Sequence, residues 1–142
     1  MKEMTLPAAK ESIPRMTAFI DGQLEAAACP VKAQLQIDLV LDEVLSNIAA
    51  YAYGAGPGEV TVRFDLEDAS RTASITFLDS GCPFDPLARP DPDVTASAEE
   101  RDAGGLGIYL VKKTMDDVQY RYENGRNVLT VRKRLDQSGM RK

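Results

Sequence analysis

Residues 41–54, LDEVLSNIAAYAYG, decide the fold of this chain. Apolar residues recur in this stretch at helical spacing, and Glu43 and Asn47 stand four residues apart, so they share one face of the predicted helix. A carboxylate can act as a general base, and an amide oxygen can bind a hard cation such as Mg²⁺. Taken alone, the pair is more typical of the polar face of an ordinary amphipathic helix.

Outward from this stretch, the hydrophobic pattern predicts three helices and two pairs of strands. The helices are expected over 12–28, 32–53 and 106–115, and the strands over 60–66, 73–78, 118–122 and 127–135. The turn between the last two strands has the sequence ENGR, which is typical of a β-hairpin. The order α-α-β-β-loop-α-β-β predicts one α+β domain over 1–142, a two-layer α/β sandwich with a largely antiparallel sheet and its helices on one face.

The composition indicates an ordinary globular domain. The 142 residues are 44% hydrophobic and 27% charged, which is enough for a core and a soluble surface. With a net charge of -5 and no basic stripe, the chain is not expected to bind nucleic acid. The sequence has no signal-peptide core and no run of roughly 20 apolar residues, so we expect a cytoplasmic protein that does not enter a membrane.

Histidine is absent, and its absence excludes several kinds of chemistry. A Ser-His-Asp or Cys-His hydrolase and a phospho-accepting histidine cannot be built from this chain. The two cysteines, Cys29 and Cys82, lie in no metal-ligand spacing, which argues against a zinc site. A disulfide between them stays open, although isolated thiols suit a reducing cytoplasm.

A second polar constellation, DSGCPFD at 79–85, directly follows a predicted strand. Asp79 at the strand end can accept a hydrogen bond from the amino group of a nucleobase. Gly81 allows a tight turn or the close approach of a ligand. The same sequence is as typical of an Asx turn that closes the strand.

A third constellation, GGLGIYLV at 104–111, leads a glycine-rich backbone into a helix. Gly104, Gly105, Leu106 and Gly107 would expose N–H groups where the helix dipole favours an anion such as phosphate. No parallel βαβ unit surrounds them, so a Rossmann site is not favoured, and a flexible glycine hinge is the alternative. The connection at about 86–103 is long, acidic and proline-rich, which predicts a lid, a binding loop or disorder.

Together, in this order and spacing, the three constellations resemble the GHKL (histidine kinase-like) ATPase superfamily over about residues 10–135. Glu43 to Asn47 matches its N box, and Asp79 with Gly81 matches its first glycine box. The second glycine box is matched by Gly104, Gly105 and Gly107. Thr130, within NVLTV, looks like the late-strand hydroxyl of the family.

This resemblance implies a site for ATP and Mg²⁺. Asp79 would accept a hydrogen bond from the adenine amino group, Gly81 would permit close approach, and Thr130 would support the base through water. Asn47 would coordinate Mg²⁺. The amides around Gly105 and Gly107 would cradle the phosphates.

Within that superfamily, LDEVLSNIAAYAYG, DSGCPFDP and GGLGIYLVKKTMDDVQY are similar to the anti-sigma factor serine kinases. That branch implies a sigma factor held inactive, a STAS-type anti-anti-sigma protein phosphorylated on serine with Glu43 as the base, and a homodimer. Tyr51 departs from the pattern, because many relatives carry histidine there. Two other classes stay open: a nucleotide-dependent binding module without kinase activity, and an interaction domain with degenerate boxes.

Overall fold

The sheet has five antiparallel strands in the order β1-β2-β3-β5-β4. The computed structural model describes residues 1–53, 56–88 and 103–135. The strands are β1 (Lys2–Pro7), β2 (Glu59–Glu67), β3 (Thr72–Asp79), β4 (Asp117–Glu123) and β5 (Arg126–Arg134). The four predicted strands and the antiparallel sheet are therefore confirmed, each strand end to within one residue.

The first strand, β1, is missing from the order predicted above, and this is a correction. It pairs with β2 from Lys2 opposite Phe64 to Pro7 opposite Glu59. Only Met4 and Leu6 of its side chains pack against the core, so the hydrophobic alternation is short. An edge strand needs only one neighbour and tolerates proline and charge, which is why its sequence does not read as a strand.

Three helices cover one face of the sheet. They are α1 (Ile13–Ala26), α2 (Val31–Asn47) and α3 (Ala103–Thr114). A 3₁₀ turn at Lys10–Ser12 precedes α1, and a π-helical turn at Ile48–Ala52 continues α2. The predicted helices are confirmed, although α3 begins three residues before the expected start at Leu106. In the described part of the chain, no helix is long and apolar enough to cross a membrane.

The core lies between the helix layer and the sheet. α2 contributes Ile37, Val40, Leu41, Val44 and Leu45, all buried. Other large side chains that are fully buried come from α1, from the strands and from the residue after β5: Met16, Ile20, Leu24, Val62, Ile75, Phe77, Val131 and Leu135. Each contributes about 1.5–3 kcal/mol by leaving water, so burial of this layer supplies the main force that holds α2 against β3 and β5.

The hairpin between β4 and β5 sets a register that matters for the site. Asn124 and Gly125 have φ angles of 56° and 75°, the left-handed values that a two-residue type I′ turn requires. The predicted turn is therefore confirmed. It pairs Tyr122 with Asn127, and β5 in turn pairs Asn127 with Asp79 of β3.

Two carboxyl groups face each other between α1 and α2. The Oδ1 atoms of Asp21 and Asp38 are both buried, and neither has a hydrogen-bond partner among the described residues. Two ionised carboxylates held close together repel each other, which favours a proton on the pair. Burial, reinforced by Asp21, raises the pKa of Asp38 from 3.8 to about 7.

We expect Asp38→Asn to stabilise the fold near neutral pH. The native state binds a proton that the unfolded chain releases, so native stability falls as pH rises from about 4 to about 7. An amide can donate to Asp21 without titrating, and thermal unfolding should show the advantage of the variant growing between about pH 4 and about pH 7. Asp42→Asn, exposed on the same helix, is the control. A stability difference that does not change with pH would contradict the shared proton.

Candidate functional site

A cavity opens at one end of the sheet, beside the last turns of α2. Together with the open space at its mouth, it encloses ≈ 500 Å³. The end of α2, the ends of β3 and β5, β4 and α3 surround it. Most of its wall is apolar and includes Val44, Ile48, Phe77, Ile108 and Leu129. Polar atoms enter it from Asn47, Asp79 and Asn127, so the cavity suits a flat apolar ligand with a few hydrogen-bonding groups.

The predicted pair on α2 lies at this cavity. Asn47 lines it and donates from Nδ2 to Glu43 Oε2 at 2.9 Å. The amide orientation leaves Asn47 Oδ1 without a partner among the described residues, so this oxygen can bind a cation. Glu43 lies one turn earlier on the same helix, half-buried and outside the cavity lining.

The π-helical turn at Ile48–Ala52 brings the end of α2 against the loop after β3. Its last carbonyl, of Ala52, accepts a hydrogen bond from the Cys82 N–H at 2.8 Å. The hydroxyl of Tyr53 donates to the Glu59 carbonyl at 2.6 Å and accepts from the Ser80 N–H at 2.7 Å. A π turn redirects a helix end, and here it fixes the loop that carries Gly81.

Gly81 is required by this contact between two backbone segments. A Cβ added at Gly81 would lie 2.1 Å from the Ala52 carbonyl oxygen and 2.5 Å from its carbon. The sequence predicted a glycine that allows a tight turn or the close approach of a ligand. The structure shows the close approach of the chain's own backbone at Ala52, and the approach of a ligand stays a prediction.

Asp79 is the one buried carboxylate of the cavity among the described residues, with 6% of its surface exposed. Its Oδ1 accepts two hydrogen bonds, from the Gly81 N–H at 2.9 Å and from Asn127 Nδ2 at 3.0 Å. The first of these bonds forms an Asx turn, which was the alternative interpretation of this segment in the sequence analysis. Within the described chain, Oδ2 has no hydrogen-bond partner and is therefore the free acceptor of the site.

Asn127 is a site residue that the sequence analysis did not identify. Its Nδ2 donates to Asp79 and to the Cys82 carbonyl at 2.8 Å, and its Oδ1 accepts from the Phe84 N–H at 3.1 Å and from the Tyr120 hydroxyl. Only 6% of its surface is exposed. The signal was its position: Asn127, Leu129 and Val131 alternate on the core-facing side of β5, and a polar residue on that side stands out.

Thr130 lies elsewhere than the sequence suggested. In β5 it points away from the helices, and its Oγ1 contacts Thr76 Oγ1 at 3.2 Å across the β3–β5 pair. It does not line the cavity. Because side chains alternate along a strand, Thr130 cannot face the same side of the sheet as Leu129. The residue of β5 that contacts Asp79 is Asn127.

The glycine-rich segment opens α3, as predicted, but earlier than expected. Because α3 begins at Ala103, the N–H groups of Ala103, Gly104 and Gly105 lie in its first turn and have no intrahelical acceptor. Gly107 is the fifth residue of the helix, and its N–H can reach the Ala103 carbonyl. Gly104 and Gly105 thus lie in the first turn of α3, and Leu106 and Gly107 follow them; phosphate binding by these residues stays a prediction.

Two residues singled out in the sequence, Tyr51 and Cys82, also line the cavity. Tyr51 has 67% of its surface exposed. Cys82 and Cys29 are both free thiols. Of the predicted lid at 86–103, Pro86–Ala88 forms a 3₁₀ turn, and 89–102 lie outside the described residues.

Comparison with known proteins agrees with this geometry. Residues 6–133 match the histidine kinase-like ATPase domain, and the chain belongs to that family. It is 30% identical over 101 residues to the serine/threonine-protein kinase BtrW of Bordetella bronchiseptica, covering 70% of each chain. It is 28% identical over 131 residues to the serine-protein kinases RsbW of Bacillus cereus and Listeria monocytogenes, covering 89% of this chain and 81% and 82% of theirs.

We expect Gly81→Ala to weaken ATP binding. Its methyl group would push the loop away from Ala52, and overpacking of this kind costs about 1–3 kcal/mol, or roughly five- to a hundredfold in affinity if it falls on the bound state. Isothermal titration with MgATP measures the effect. The control is Gly22→Ala in α1, where an added Cβ meets nothing within 4 Å and should only stabilise the helix. Equal affinity of the two variants would show that the close approach at Gly81 does not shape the site.

Proposed function

We propose that this chain is an ATP-dependent serine kinase of the anti-sigma type. It would bind MgATP in the cavity and transfer a phosphoryl group to a serine of a partner protein. The observation that carries the proposal is the buried Asp79 carboxylate, with one free oxygen, in the wall of an apolar cavity. The names of the relatives, which are serine kinases, support the choice of acceptor.

The cavity has the chemistry of an adenine site. Phe77, Ile108 and Leu129 offer apolar surface to the faces of a base. The free Oδ2 of Asp79 would accept from the exocyclic amino group of adenine. Guanine carries a carbonyl at the corresponding position, and two acceptors repel, so this carboxylate favours ATP over GTP.

The phosphates would lie between α2 and the start of α3. The free N–H groups of Gly104 and Gly105 and the positive end of the helix dipole attract an anion. Asn47 Oδ1 is an oxygen ligand of the kind that Mg²⁺ accepts, so these residues fit a magnesium nucleotide. When bound, MgATP supplies the phosphoryl group, and the protein contributes positioning and charge neutralisation.

Glu43 would be the general base. Its Oε2 accepts from Asn47, which orients the carboxylate, and its other oxygen would take the proton of an incoming serine hydroxyl. The contact with Asn47 couples the base to the residue that would hold the cation. A pure binding module needs no base at this position.

The partners follow from the same proposal. A STAS-type anti-anti-sigma protein would present the serine and a sigma factor would be held inactive, both in the cytoplasm, and the chain would act as a homodimer. A protein-binding role is supported by an apolar stripe on α2, where Val31, Leu35 and Leu39 are 73%, 60% and 68% exposed. Exposed apolar residues that adjoin one another are typical of interaction surfaces.

The test is transfer of label from the γ-phosphate of ATP to a serine of a STAS-type protein from the same source. Glu43→Gln should keep MgATP affinity and lower kcat by roughly a hundredfold to ten-thousandfold, because it removes only the base. Asp42→Asn, its exposed neighbour on α2, is the matched control. Nucleotide-dependent capture of the partner without transfer would favour the binding module instead.

Asp79→Asn should weaken the binding of the nucleotide, whereas Glu43→Gln should slow the transfer of the phosphoryl group. An amide replaces an ionised acceptor, so MgATP affinity should fall by roughly tenfold to a hundredfold. Asp85→Asn, whose exposed carboxylate accepts from the Leu87 N–H, is the control. Unchanged MgATP affinity in Asp79→Asn would overturn the assignment of the adenine site.

A further inference from the structure

The side-chain amide of Asn127 makes every hydrogen bond that a carboxamide can make. Its two N–H groups go to Asp79 Oδ1 and the Cys82 carbonyl, and its oxygen accepts from the Phe84 N–H and the Tyr120 hydroxyl. The orientation of the amide is fixed by the backbone, because the Phe84 N–H can only donate and the Cys82 carbonyl can only accept. Asn127 therefore has no hydrogen-bonding group left for a ligand.

These four bonds determine which carboxylate oxygen of Asp79 is available to a ligand. Oδ1 of Asp79 is already saturated by Gly81 and Asn127, at 2.9 and 3.0 Å. Rotation of the carboxylate would break both bonds, so Oδ2 is held in one position. Asn127 also holds Cys82 and Phe84, and through them the loop that lines the cavity beside this oxygen.

Tyr120 completes the arrangement from the edge strand β4. Its side chain lines the cavity, and its hydroxyl donates to Asn127 Oδ1. Burial raises the pKa of this hydroxyl, and the Asp85 and Asp79 carboxylates raise it further, while the Phe84 amide lowers it less than burial raises it. The hydroxyl is therefore protonated at neutral pH and remains a donor.

We propose that Asn127 and Tyr120 are positioning residues for the nucleotide: Asn127 saturates one carboxylate oxygen of Asp79 so that only the other meets the base, and Tyr120 holds Asn127 in place. This inference rests on the proposed binding of ATP in the cavity. Neither residue touches the base through a polar atom. Both act through Asp79.

The first test is the pH dependence of Asn127→Asp. The oxygen that replaces Nδ2 faces two acceptors, so it must carry a proton to bond, and when ionised it repels Asp79. The probe is adenosine, which is uncharged between about pH 5.5 and about pH 8. The measured quantity is the ratio of its Kd in the variant to its Kd in the native chain, because the titration of groups common to both proteins cancels in this ratio. We expect this ratio to rise at least about tenfold between about pH 5.5 and about pH 8. Asn124→Asp, in the β4–β5 turn, should give a ratio that does not change with pH.

The second test is Tyr120→Phe, which removes one donor and keeps the ring. Loss of one hydrogen bond should raise the KM for ATP about fivefold and leave kcat unchanged at saturation. Affinity for magnesium tripolyphosphate, which lacks a base, should stay at the native value. Tyr122→Phe, half-exposed two residues along β4, is the matched control.

The outcomes separate this inference from the proposed function. If the native chain binds neither adenosine nor MgATP, both are overturned. If the native chain binds them and the Asn127→Asp ratio stays flat while Tyr120→Phe keeps the native KM, the positioning role alone is wrong. If Asn127→Asp fails to fold by circular dichroism, Tyr120→Phe decides: a raised KM with native tripolyphosphate affinity supports positioning, and loss of both affinities indicates general damage.

Discussion

The hydrogen bond between Asn127 Nδ2 and Asp79 Oδ1 is the interaction on which the geometry of the site depends. It joins the end of β3 to the start of β5 at a cross-strand pair, and both side chains are almost fully buried. A buried carboxylate is costly unless donors surround it, and here the donors come from the next turn and from the neighbouring strand. The bonds of Asp79 and Asn127 also hold the loop from Ser80 to Phe84 against the strand ends. The same hydrogen bonds therefore stabilise the buried carboxylate and position the loop that lines the cavity.

The cavity is an extension of the hydrophobic core rather than a separate feature. Val44, Phe77 and Leu129 belong both to the buried core and to the cavity wall. Close packing of the core therefore fixes the apolar part of the site. The polar part is attached at one end, where the π turn of α2 contacts the loop at Gly81. The cavity therefore combines an apolar floor, which belongs to the core, with a hydrogen-bonded rim.

Much of this could be predicted from the sequence, and the limits have physical causes. Local patterns predicted the three helices, the strands β2 to β5 and the β4–β5 turn, because each depends on residues near in sequence. The pairing of Asp79 with Asn127 joins residues 48 apart in the chain, and the register of two non-consecutive strands cannot be read from either one. Thr130 was chosen for its hydroxyl, but the run Val128 to Val131 is buried throughout, so its alternation is hidden. The strand β1 was missed because an edge strand buries only two side chains in the core.

The central claim is that the free oxygen of Asp79 receives the base of ATP while Asn127 holds the other oxygen. A crystal structure of the chain with Mg²⁺ and a non-hydrolysable ATP analogue tests it most directly. The account predicts the adenine amino group within hydrogen-bond distance of Asp79 Oδ2, with the bonds of Asn127 to Asp79 and Cys82 unchanged. A base bound outside this cavity, or one that displaces Asn127 from Asp79, would contradict it.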